Sequence, residues 1–203
     1  MTTNITLQLD RESWLTEAAQ LIQDDIIRPA LPSGHVIENP FRVSVGFPPN
    51  SRASSKHIAC CIIAGASADN HNELFISPVE DDSHKILGSL VHEMIHQADD
   101  CKSGHRNFFA HVARKVGLEG KFTATTAGDK LNRYFDSLIN LLGKIPHGKI
   151  NIDKAKAKQG TRMIKVYCPE CLFQFRTTQV QLEKIQVTEC PACMIGDLTA
   201  QTK

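Results

Sequence analysis

The residues best suited to chemistry lie in the middle of the chain, where His92, Glu93 and His96 form the pattern H-E-x-x-H. The flanking apolar residues recur at helical spacing, and two helical residues four apart differ by about 40° around the axis and about 6 Å along it. Both imidazoles can therefore reach one ion, and neutral imidazole nitrogen is a good zinc ligand. The pattern predicts a zinc site on this helix.

Two histidines do not complete such a site, because a catalytic zinc ion uses three protein ligands and leaves one position for water. A turn predicted at residues 99–104 brings the chain back, and His105 follows Gly104 at the predicted start of the next helix. A loop there can aim an imidazole at the ion. His105 is therefore the predicted third ligand.

Three other side chains compete with His105. His111 lies about 240° further around the next helix, so the two imidazoles are not expected to face the same ion. Asp99 and Asp100 offer carboxylate oxygens, but they follow His96 too closely to approach the ion from a different direction. We rank all three below His105.

Glu93 borders the metal face of the helix without sharing it, which suits a general base. Zinc lowers the pKa of a bound water to about 7, so a carboxylate within reach can take the proton and later pass it to a leaving amine. Peptide hydrolysis is the predicted reaction. The side chain that assists at the carbonyl oxygen stays open among Tyr134, Arg133 and His71.

The surrounding pattern predicts the elements that position these residues. Amphipathic helices are predicted over residues 12–27, from Asp82 or Ser83 to about residue 98, from Ser103 or Gly104 to Gly117, and over 128–142. Arg28-Pro29 is expected to end the first helix. Strands are predicted over 41–47, 57–64 and 73–77, with loops at 51–56 and 65–72. This order indicates an α+β fold with a small sheet packed on the H-E-x-x-H helix.

Three stretches of sequence resemble one known family. LVHEMIHQ, the following GHRNFF and the preceding LFISP are similar to the SprT-like zincins, which include the Spartan proteases that act on DNA-protein crosslinks. The resemblance covers residues 41–120 and the downstream cysteine module. It implies a zincin-like domain of the minigluzincin type, with His92, His96 and His105 as zinc ligands and Glu93 as the catalyst. The loop at 65–72 departs from the family's pattern.

Four of the seven cysteines form two Cys-x-x-Cys pairs, Cys168/Cys171 and Cys190/Cys193, with 18 residues between the pairs. This spacing is typical of a structural zinc site rather than of a redox dithiol. So short a module cannot fold around a core of its own, and metal binding must supply much of its stability. We predict a second zinc ion in a zinc ribbon at residues 166–203.

The other three cysteines are not expected to bind metal. Cys60 and Cys61 stand in an apolar segment and are interpreted as small buried thiols. Cys101 lies near the catalytic histidines, but its loop offers no evident ligand geometry.

Between the two predicted domains, residues 144–165 carry six lysines and Arg162 against the single Asp153. We interpret this segment as a basic linker, which is either a solvated connector or a contact for nucleic-acid phosphates. In the ribbon, Phe173, Phe175 and Arg176 could stack on unpaired bases, or the two aromatic residues could form the module's core. A net charge of +1 argues against general coating of nucleic acid, so any DNA contact is expected to be local.

The composition bounds the remaining possibilities. The 203 residues, 41% of them hydrophobic, suit one ordinary domain at 1–143 followed by the linker and the small module. No apolar run approaches the roughly 20 residues of a membrane span, and the first residues lack the features of a secretion signal. We expect a cytoplasmic protein without a membrane partner.

These observations lead to one preferred function and two alternatives. The preferred function is a zinc-dependent metallopeptidase with a protein substrate, acting on DNA-associated proteins and held there by the basic linker and ribbon. The first alternative is a non-enzymatic zinc-ribbon factor, associated with nucleic acid or transcription, whose zincin domain is a scaffold. The second is a peptidase with an unrelated protein target. Glu93 favours an enzyme, because a scaffold has little need for that carboxylate.

Overall fold

The computed structural model describes residues 10–49, 58–155, 163–184 and 188–201. The chain divides into two compact units, Met1–Ala155 and Lys156–Lys203. Both units combine helices with small sheets, so the fold is mixed α+β. The predicted loop at 51–56, His57 and residues 156–162 of the basic segment lie outside the described residues.

The first unit contains most of the regular elements. Its helices are α1 (Arg11–Ile22), α2 (Arg28–Ala30), α3 (Ser83–Ala98), α4 (Asn107–Val116), α5 (Asp129–Leu142) and α6 (Ile152–Ala155). Its strands are β1 (Phe41–Val45), β2 (Ala59–Ile62), β3 (Asn72–Ile76), β4 (Leu118–Lys121) and β5 (Ala124–Ala127). The second unit contains β6 (Ile164–Tyr167), β7 (Gln174–Thr177), α7 (Gln179–Lys184) and β8 (Thr199–Gln201). Among the described residues, none of the helices has the length and apolar character that a bilayer crossing requires.

The N-terminal helical region runs further than its sequence pattern predicts. Asp10 caps α1 by accepting a hydrogen bond from the Ser13 backbone N–H at 2.7 Å. After α1 the chain makes a π-helical turn, Gln23–Ile27, and continues into α2. Pro29 does not end the helix, because it stands in the first turn of α2, where a missing amide hydrogen breaks no intrahelical bond.

A three-stranded sheet with the order β1-β3-β2 lies beside α3. β1 runs parallel to β3, with Val43 opposite Leu74, and β2 runs antiparallel to β3, with Cys61 opposite the same leucine. β2 is therefore an edge strand of this sheet. Residues on an edge strand can face a cleft rather than a core.

α3 forms the centre of the first unit. Asp82 caps it by accepting a hydrogen bond from the Lys85 backbone N–H at 3.0 Å, which confirms the predicted helix start. Its apolar residues Ile86, Leu90 and Met94 are buried in the core. The helix contacts β2, β3, β5 and α4, so the small sheet packs on it as expected.

The next helix begins later than predicted, at Asn107 rather than at Ser103 or Gly104. The reason lies in the preceding turn, where Asp100 and Cys101 have φ angles of 54° and 58° and Gly104 has 53°. These left-handed conformations are incompatible with a right-handed helix. The turn therefore extends to residue 106 before α4 begins.

The predicted elements omit a short hairpin between α4 and α5. Gly117 ends α4 in a left-handed conformation, as predicted, with φ of 93°. The chain then forms the antiparallel pair β4–β5, and Gly128 caps α5. The hairpin strands are mostly exposed or half-buried, so their sequence lacks the strong alternation that would have identified them.

The first twelve residues of the predicted basic linker belong to the first unit. Ile145 is buried, and its backbone N–H donates to Ser83 Oγ at 3.2 Å. The Ile150 N–H donates to the Pro78 carbonyl at 2.8 Å. These contacts fix the segment up to residue 155 on the same unit that carries H-E-x-x-H.

The second unit is a three-stranded antiparallel sheet with the order β7-β6-β8. Val166 at the centre of β6 is buried, while the short helix α7 follows β7 and has no fully buried residue. The strands confirm a small β module, and α7 was not predicted.

Candidate metal centres

The three predicted histidines converge on one point. His105 Nε2 lies 3.1 Å from His92 Nε2 and 3.2 Å from His96 Nε2, and the nitrogen atoms of all three lie within 4.8 Å of one another. Two nitrogens bound to one tetrahedral zinc ion at ~2.05 Å stand about 3.3 Å apart. The spacing therefore fits three imidazole ligands around one ion.

The protonation of these histidines also suits a metal site. Burial, followed by the neighbouring His105, lowers the pKa of His92 to about 4. Burial is likewise the main cause that lowers the pKa of His96 to about 3. Both imidazoles are neutral at pH 7, which is the form that binds a metal ion.

Phe109 forms the apolar floor of the site. Its ring centroid lies 4.7 Å from that of His92, 4.5 Å from that of His96 and 5.1 Å from that of His105. The residue stands in the first turn of α4 and is 1% exposed. The Phe109 ring therefore packs against all three imidazoles, a role that the GHRNFF sequence did not predict.

Thr125 on β5 orients one of the ligands. Its Oγ1 lies 2.8 Å from His92 Nδ1, so the imidazole Nδ1–H can donate to the hydroxyl and leave Nε2 free for an ion. A partner of this kind fixes the tautomer and the ring orientation of a histidine ligand. Because Thr125 belongs to the unpredicted hairpin, sequence reasoning could not find it.

Glu93 lies beside the histidines and is 7% exposed. Its carboxylate accepts a hydrogen bond from the Cys61 backbone N–H, and burial raises the pKa of the carboxyl to about 8. The edge strand β2 thus orients the side chain. A buried carboxylate next to three converging imidazoles can exchange a proton with a molecule bound between them.

The turn between α3 and α4 positions His105. The Cys101 backbone N–H donates to the His96 carbonyl at 2.8 Å, and the Ser103 N–H donates to Asp99 Oδ2 at 3.0 Å. These bonds curl the chain back over the end of α3. Asp99 is occupied within the turn and does not belong to the histidine group.

Asp100 fastens the same turn to the sheet. Its Oδ1 accepts hydrogen bonds from the Ala64 backbone N–H at 2.8 Å and from Asn72 Nδ2 at 2.9 Å. These bonds, the first above all, hold the pKa of the Asp100 carboxyl below its ordinary value. The side chain is therefore an anchor, not a fourth ligand.

The histidines open into a cleft of about 720 Å³. One wall is residues 58–61 on and before β2, and the other is residues 123–126 around β5. Cys60 and Cys61 line this cleft and are half-buried, so the interpretation of both as small buried thiols is only partly right. Cys61 also packs against the hydrophobic core. The edge position of β2 explains the difference.

Other candidate residues stand apart from the cleft. Tyr134, Arg133 and His71 do not line it; Tyr134 instead donates its hydroxyl to Asp25 Oδ2 at 3.0 Å. His111 is exposed on α4, as expected for a residue that faces away from His105. None of the three side chains considered for the carbonyl oxygen is placed to assist there.

The four predicted cysteines form a second group in the other unit. Cys168 Sγ lies 3.7 Å from Cys193 Sγ, and Cys171 Sγ lies 3.5 Å from Cys190 Sγ. Two sulfurs on one tetrahedral zinc ion at ~2.3 Å are about 3.8 Å apart. The set therefore fits four thiolate ligands in a zinc-ribbon arrangement, with zinc as a plausible ion.

The two cysteine turns have the same backbone design. The Leu172 N–H donates to the Cys168 carbonyl at 3.0 Å, and the Met194 N–H donates to the Cys190 carbonyl at 2.9 Å. Backbone N–H groups of Ile195 and Gly196 lower the pKa of the Cys193 thiol to about 6. In the other turn the Phe173 backbone N–H likewise lowers the pKa of the Cys171 thiol, but burial and hydrogen bonds with the other cysteines raise that pKa to about 12 overall. The backbone of both turns thus favours the thiolate, the form that holds a metal ion.

Gly196 closes this second site tightly. A Cβ atom added there would lie 2.9 Å from Cys168 Sγ and 2.7 Å from Glu170 Cγ. Only glycine lets the backbone come so close to the sulfur cluster. The protein covers Cys168 and Cys190 on this side, whereas Cys171 is exposed and Cys193 is half-buried.

No protein-family model, curated protein or solved structure matches the chain. The resemblance to the SprT-like zincins therefore stays a prediction that rests on the motif residues. The two ligand groups are the strongest structural observations on which a function can be based.

Proposed function

We propose that the protein is a zinc-dependent metallopeptidase with a zincin-like catalytic domain of the SprT-like kind. The observation that carries the proposal is the convergence of His92, His96 and His105 beside the buried carboxylate of Glu93 in one open cleft. The zinc count that follows is one ion at the histidines and one at the cysteines.

The residues divide the chemistry between them. Zinc held by the three Nε2 atoms would supply Lewis-acid activation of water and of the scissile carbonyl. With a cation bound at the imidazoles, the carboxyl of Glu93 would be ionised, against the effect of burial on its pKa. Glu93 then takes one proton from the water at a carboxylate oxygen, and the hydroxyl adds to the carbonyl carbon. The same carboxyl then gives its proton to the amine nitrogen as the C–N bond breaks. Thr125 keeps Nδ1 of His92 protonated, and Phe109 excludes water beneath the rings.

The cleft favours a peptide as its occupant. Among the described residues that line it, none is a lysine or arginine, and Glu93 is the one carboxylate. Binding of nucleic acid depends on cationic side chains that contact phosphates, so a neutral cleft does not suit it. β2 is an edge strand along this cleft, and an extended peptide can add to such an edge.

DNA would contact the protein outside the cleft. The basic segment at 144–165 carries the local concentration of positive charge, and part of it, up to residue 155, is fixed on the first unit. We propose that this segment and the ribbon bring the peptidase to DNA-associated proteins. A cytoplasmic location, where the cysteines stay reduced, fits the thiolate site.

Replacement of Glu93 by glutamine tests the enzymatic proposal. In the zinc-loaded full chain, Glu93→Gln should lower the rate of hydrolysis of an unfolded protein by about 10²–10⁴, the usual share of a general base. The zinc count should not change. His111→Ala, which removes an exposed imidazole outside the cleft, should leave the rate unaltered.

Two outcomes would refute the peptidase. One is Glu93→Gln protein that cleaves at the wild-type rate. The other is zinc-loaded wild-type protein that cleaves neither an unfolded protein nor a protein cross-linked to DNA. That second result would favour the non-enzymatic nucleic-acid factor.

Charge removal tests the DNA contact separately. Lys156→Gln together with Lys158→Gln should reduce the slope of log affinity against log salt by about 1–2 for single-stranded DNA. The control removes the same charge from the first unit, as Lys115→Gln with Lys130→Gln, and should leave the slope unchanged. Equal effects of the two pairs would contradict a local contact.

A further inference from the structure

Three thiols line the cleft without any part in the proposed hydrolysis. Cys60 and Cys61 stand on β2, and Cys101 stands in the turn between α3 and α4. All three are half-buried and free of disulfides. Three cysteines around one cleft are unusual, and the arrangement of their sulfurs differs.

Two of them form a pair. The Cys101 thiol donates to the Cys61 carbonyl oxygen, with Sγ and the oxygen 3.7 Å apart, and the Cys101 side chain is also the main cause that raises the pKa of the Cys61 thiol. The turn holds this arrangement: Cys101 has a φ of 58°, and its backbone N–H is bound to the His96 carbonyl. Two thiols in contact can join with little backbone movement.

We propose that Cys61 and Cys101 form an oxidation site, which hydrogen peroxide converts into an intramolecular disulfide that reversibly weakens the histidine site. Cys61 stands on β2 and binds the Glu93 carboxylate through its backbone, and Cys101 stands in the turn that carries His105. Any covalent link at this point therefore acts on both halves of the proposed catalytic centre.

The chemistry proceeds in two balanced steps. The Cys101 sulfur attacks one oxygen of hydrogen peroxide, the O–O bond breaks, and one water leaves, which gives a sulfenic acid. The Cys61 sulfur then attacks the Cys101 sulfur, the S–O bond breaks, and a second water leaves. The two thiols lose two electrons and the peroxide gains two. A dithiol reductant reverses the link through thiol–disulfide exchange.

The order of the steps follows from the environment of Cys61. Its hydrogen bond to Cys101 and its burial raise the pKa of the Cys61 thiol. The thiolate is the form that attacks peroxide, so the raised pKa of Cys61 leaves Cys101 as the first sulfur to react. In the second step Cys61 loses its proton as it attacks, and this proton leaves with the hydroxide of the sulfenic acid as water. Burial also raises the pKa of Cys60 to about 11, and no hydrogen bond joins that thiol to Cys101 among the contacts of the described residues.

The effect on function rests on the proposed peptidase activity, whereas the disulfide itself does not. The Cys61 backbone N–H binds the Glu93 carboxylate, and Cys101 precedes His105 by four residues in the same turn. Active-site groups must be held within about 0.5 Å of their working positions. Drawing the turn toward β2 should therefore lower the hydrolysis rate at least about tenfold, the scale of a lost supporting contact.

Peptide mapping of the full chain tests the site directly. The zinc-loaded protein is treated with hydrogen peroxide, its remaining thiols are alkylated, and it is digested with trypsin. Cleavage after Lys56, Lys85 and Lys102 places the two cysteines on separate peptides, 57–85 and 86–102. We expect these peptides to be linked, and dithiothreitol to separate them.

Matched variants identify the sulfurs involved. Cys101→Ser and Cys61→Ser should each abolish the link, whereas Cys60→Ser, on the neighbouring residue of the same strand, should retain it. Absence of the link in wild-type protein, or its loss in Cys60→Ser, would overturn the proposal. A link that forms equally in urea would show that the fold does not direct it, with the same consequence.

The hydrolysis rate and the peptide map separate the two proposals. Oxidised wild-type protein should hydrolyse an unfolded protein at least tenfold more slowly, and dithiothreitol should restore the rate. The rate of Cys101→Ser should change neither on oxidation nor on reduction. An unchanged rate in fully linked protein would overturn the inhibitory effect. If the protein cleaves nothing before oxidation, the peptidase proposal fails, and the peptide map still decides whether the oxidation site exists.

Discussion

The histidine site and the cysteine site differ in what holds their ligands. In the described part of the first unit, 26 buried hydrophobic residues form one core around α3, and this core places the histidines. In the described part of the second unit, the buried hydrophobic residues are Val166, Cys168 and Cys190, two of which are proposed ligands themselves. The first site is thus shaped by the fold, whereas the second must help to shape it.

The same two sites differ in access. The three imidazoles face a cleft and have Glu93 beside them, which suits a reaction. The four sulfurs are complete as a tetrahedral set and leave no position for a substrate, which suits a structural role. The histidine group is therefore suited to a reaction, and the cysteine group is suited to stabilising the second unit.

Removal of metal should give the largest effect and tests the comparison most broadly. We expect chelation to abolish hydrogen-exchange protection across residues 164–201, because the small module has almost no core. The single tryptophan, Trp14, is fully buried in the first unit and donates to the Gly143 carbonyl. Its fluorescence should stay native. A coincident loss of both signals would contradict the difference between the units.

A cavity beneath the imidazoles should have the next largest effect. Phe109→Ala removes the ring that contacts all three histidines and should reduce the free energy of unfolding by about 3–5 kcal/mol, as for other buried phenylalanines. Urea unfolding followed by Trp14 fluorescence measures this. Phe109→Leu keeps most of the volume and should cost much less. If alanine and leucine reduced the free energy of unfolding equally, the ring volume would not be what supports the site.

These comparisons also show which residues of the two sites could be predicted from the sequence. His92, Glu93 and His96 were predictable because helical geometry fixes side chains four residues apart, and the cysteine pairs were predictable from their spacing. Thr125 and Phe109 were not, because their positions depend on how the hairpin and α4 pack against α3.

The errors have equally specific causes. Cys60 and Cys61 line the cleft because β2 is the edge strand in the order β1-β3-β2, which a list of predicted strands does not contain. The late start of α4 depends on the left-handed residues Asp100 and Cys101, whose types do not announce such conformations. In both places, tertiary structure decides what local pattern leaves open.

Loss of a supporting hydrogen bond should have a smaller effect on the histidine site. Thr125→Val keeps the shape of the side chain but removes the oxygen bound to His92 Nδ1, and should weaken zinc binding by about 10–100-fold. Competition with a chelating dye measures the affinity. Thr125→Ser retains the hydroxyl and should stay close to wild type; a loss as large as that of valine would point to packing instead.

The smallest expected effect concerns the anchor of the turn. Because the Asp100 pKa is lowered in the folded state, its stabilising contribution is complete above the unfolded value of about 3.9 and disappears as the pH falls through the folded pKa. Asp100→Asn should therefore be less stable than wild type at pH 7, and this difference should shrink below pH 4. Urea midpoints across this range test the sign. A gap that widens in acid would be inconsistent with the observed bonds.

The most direct test of the account is a zinc count per chain at equilibrium. We predict two ions in the intact protein and one after serine replaces Cys168, Cys171, Cys190 and Cys193. Adding His105→Ala to that variant should reduce the count nearly to zero at zinc concentrations that saturate its parent. Retention of the remaining ion with undiminished affinity would contradict the claim that three imidazoles share one cation.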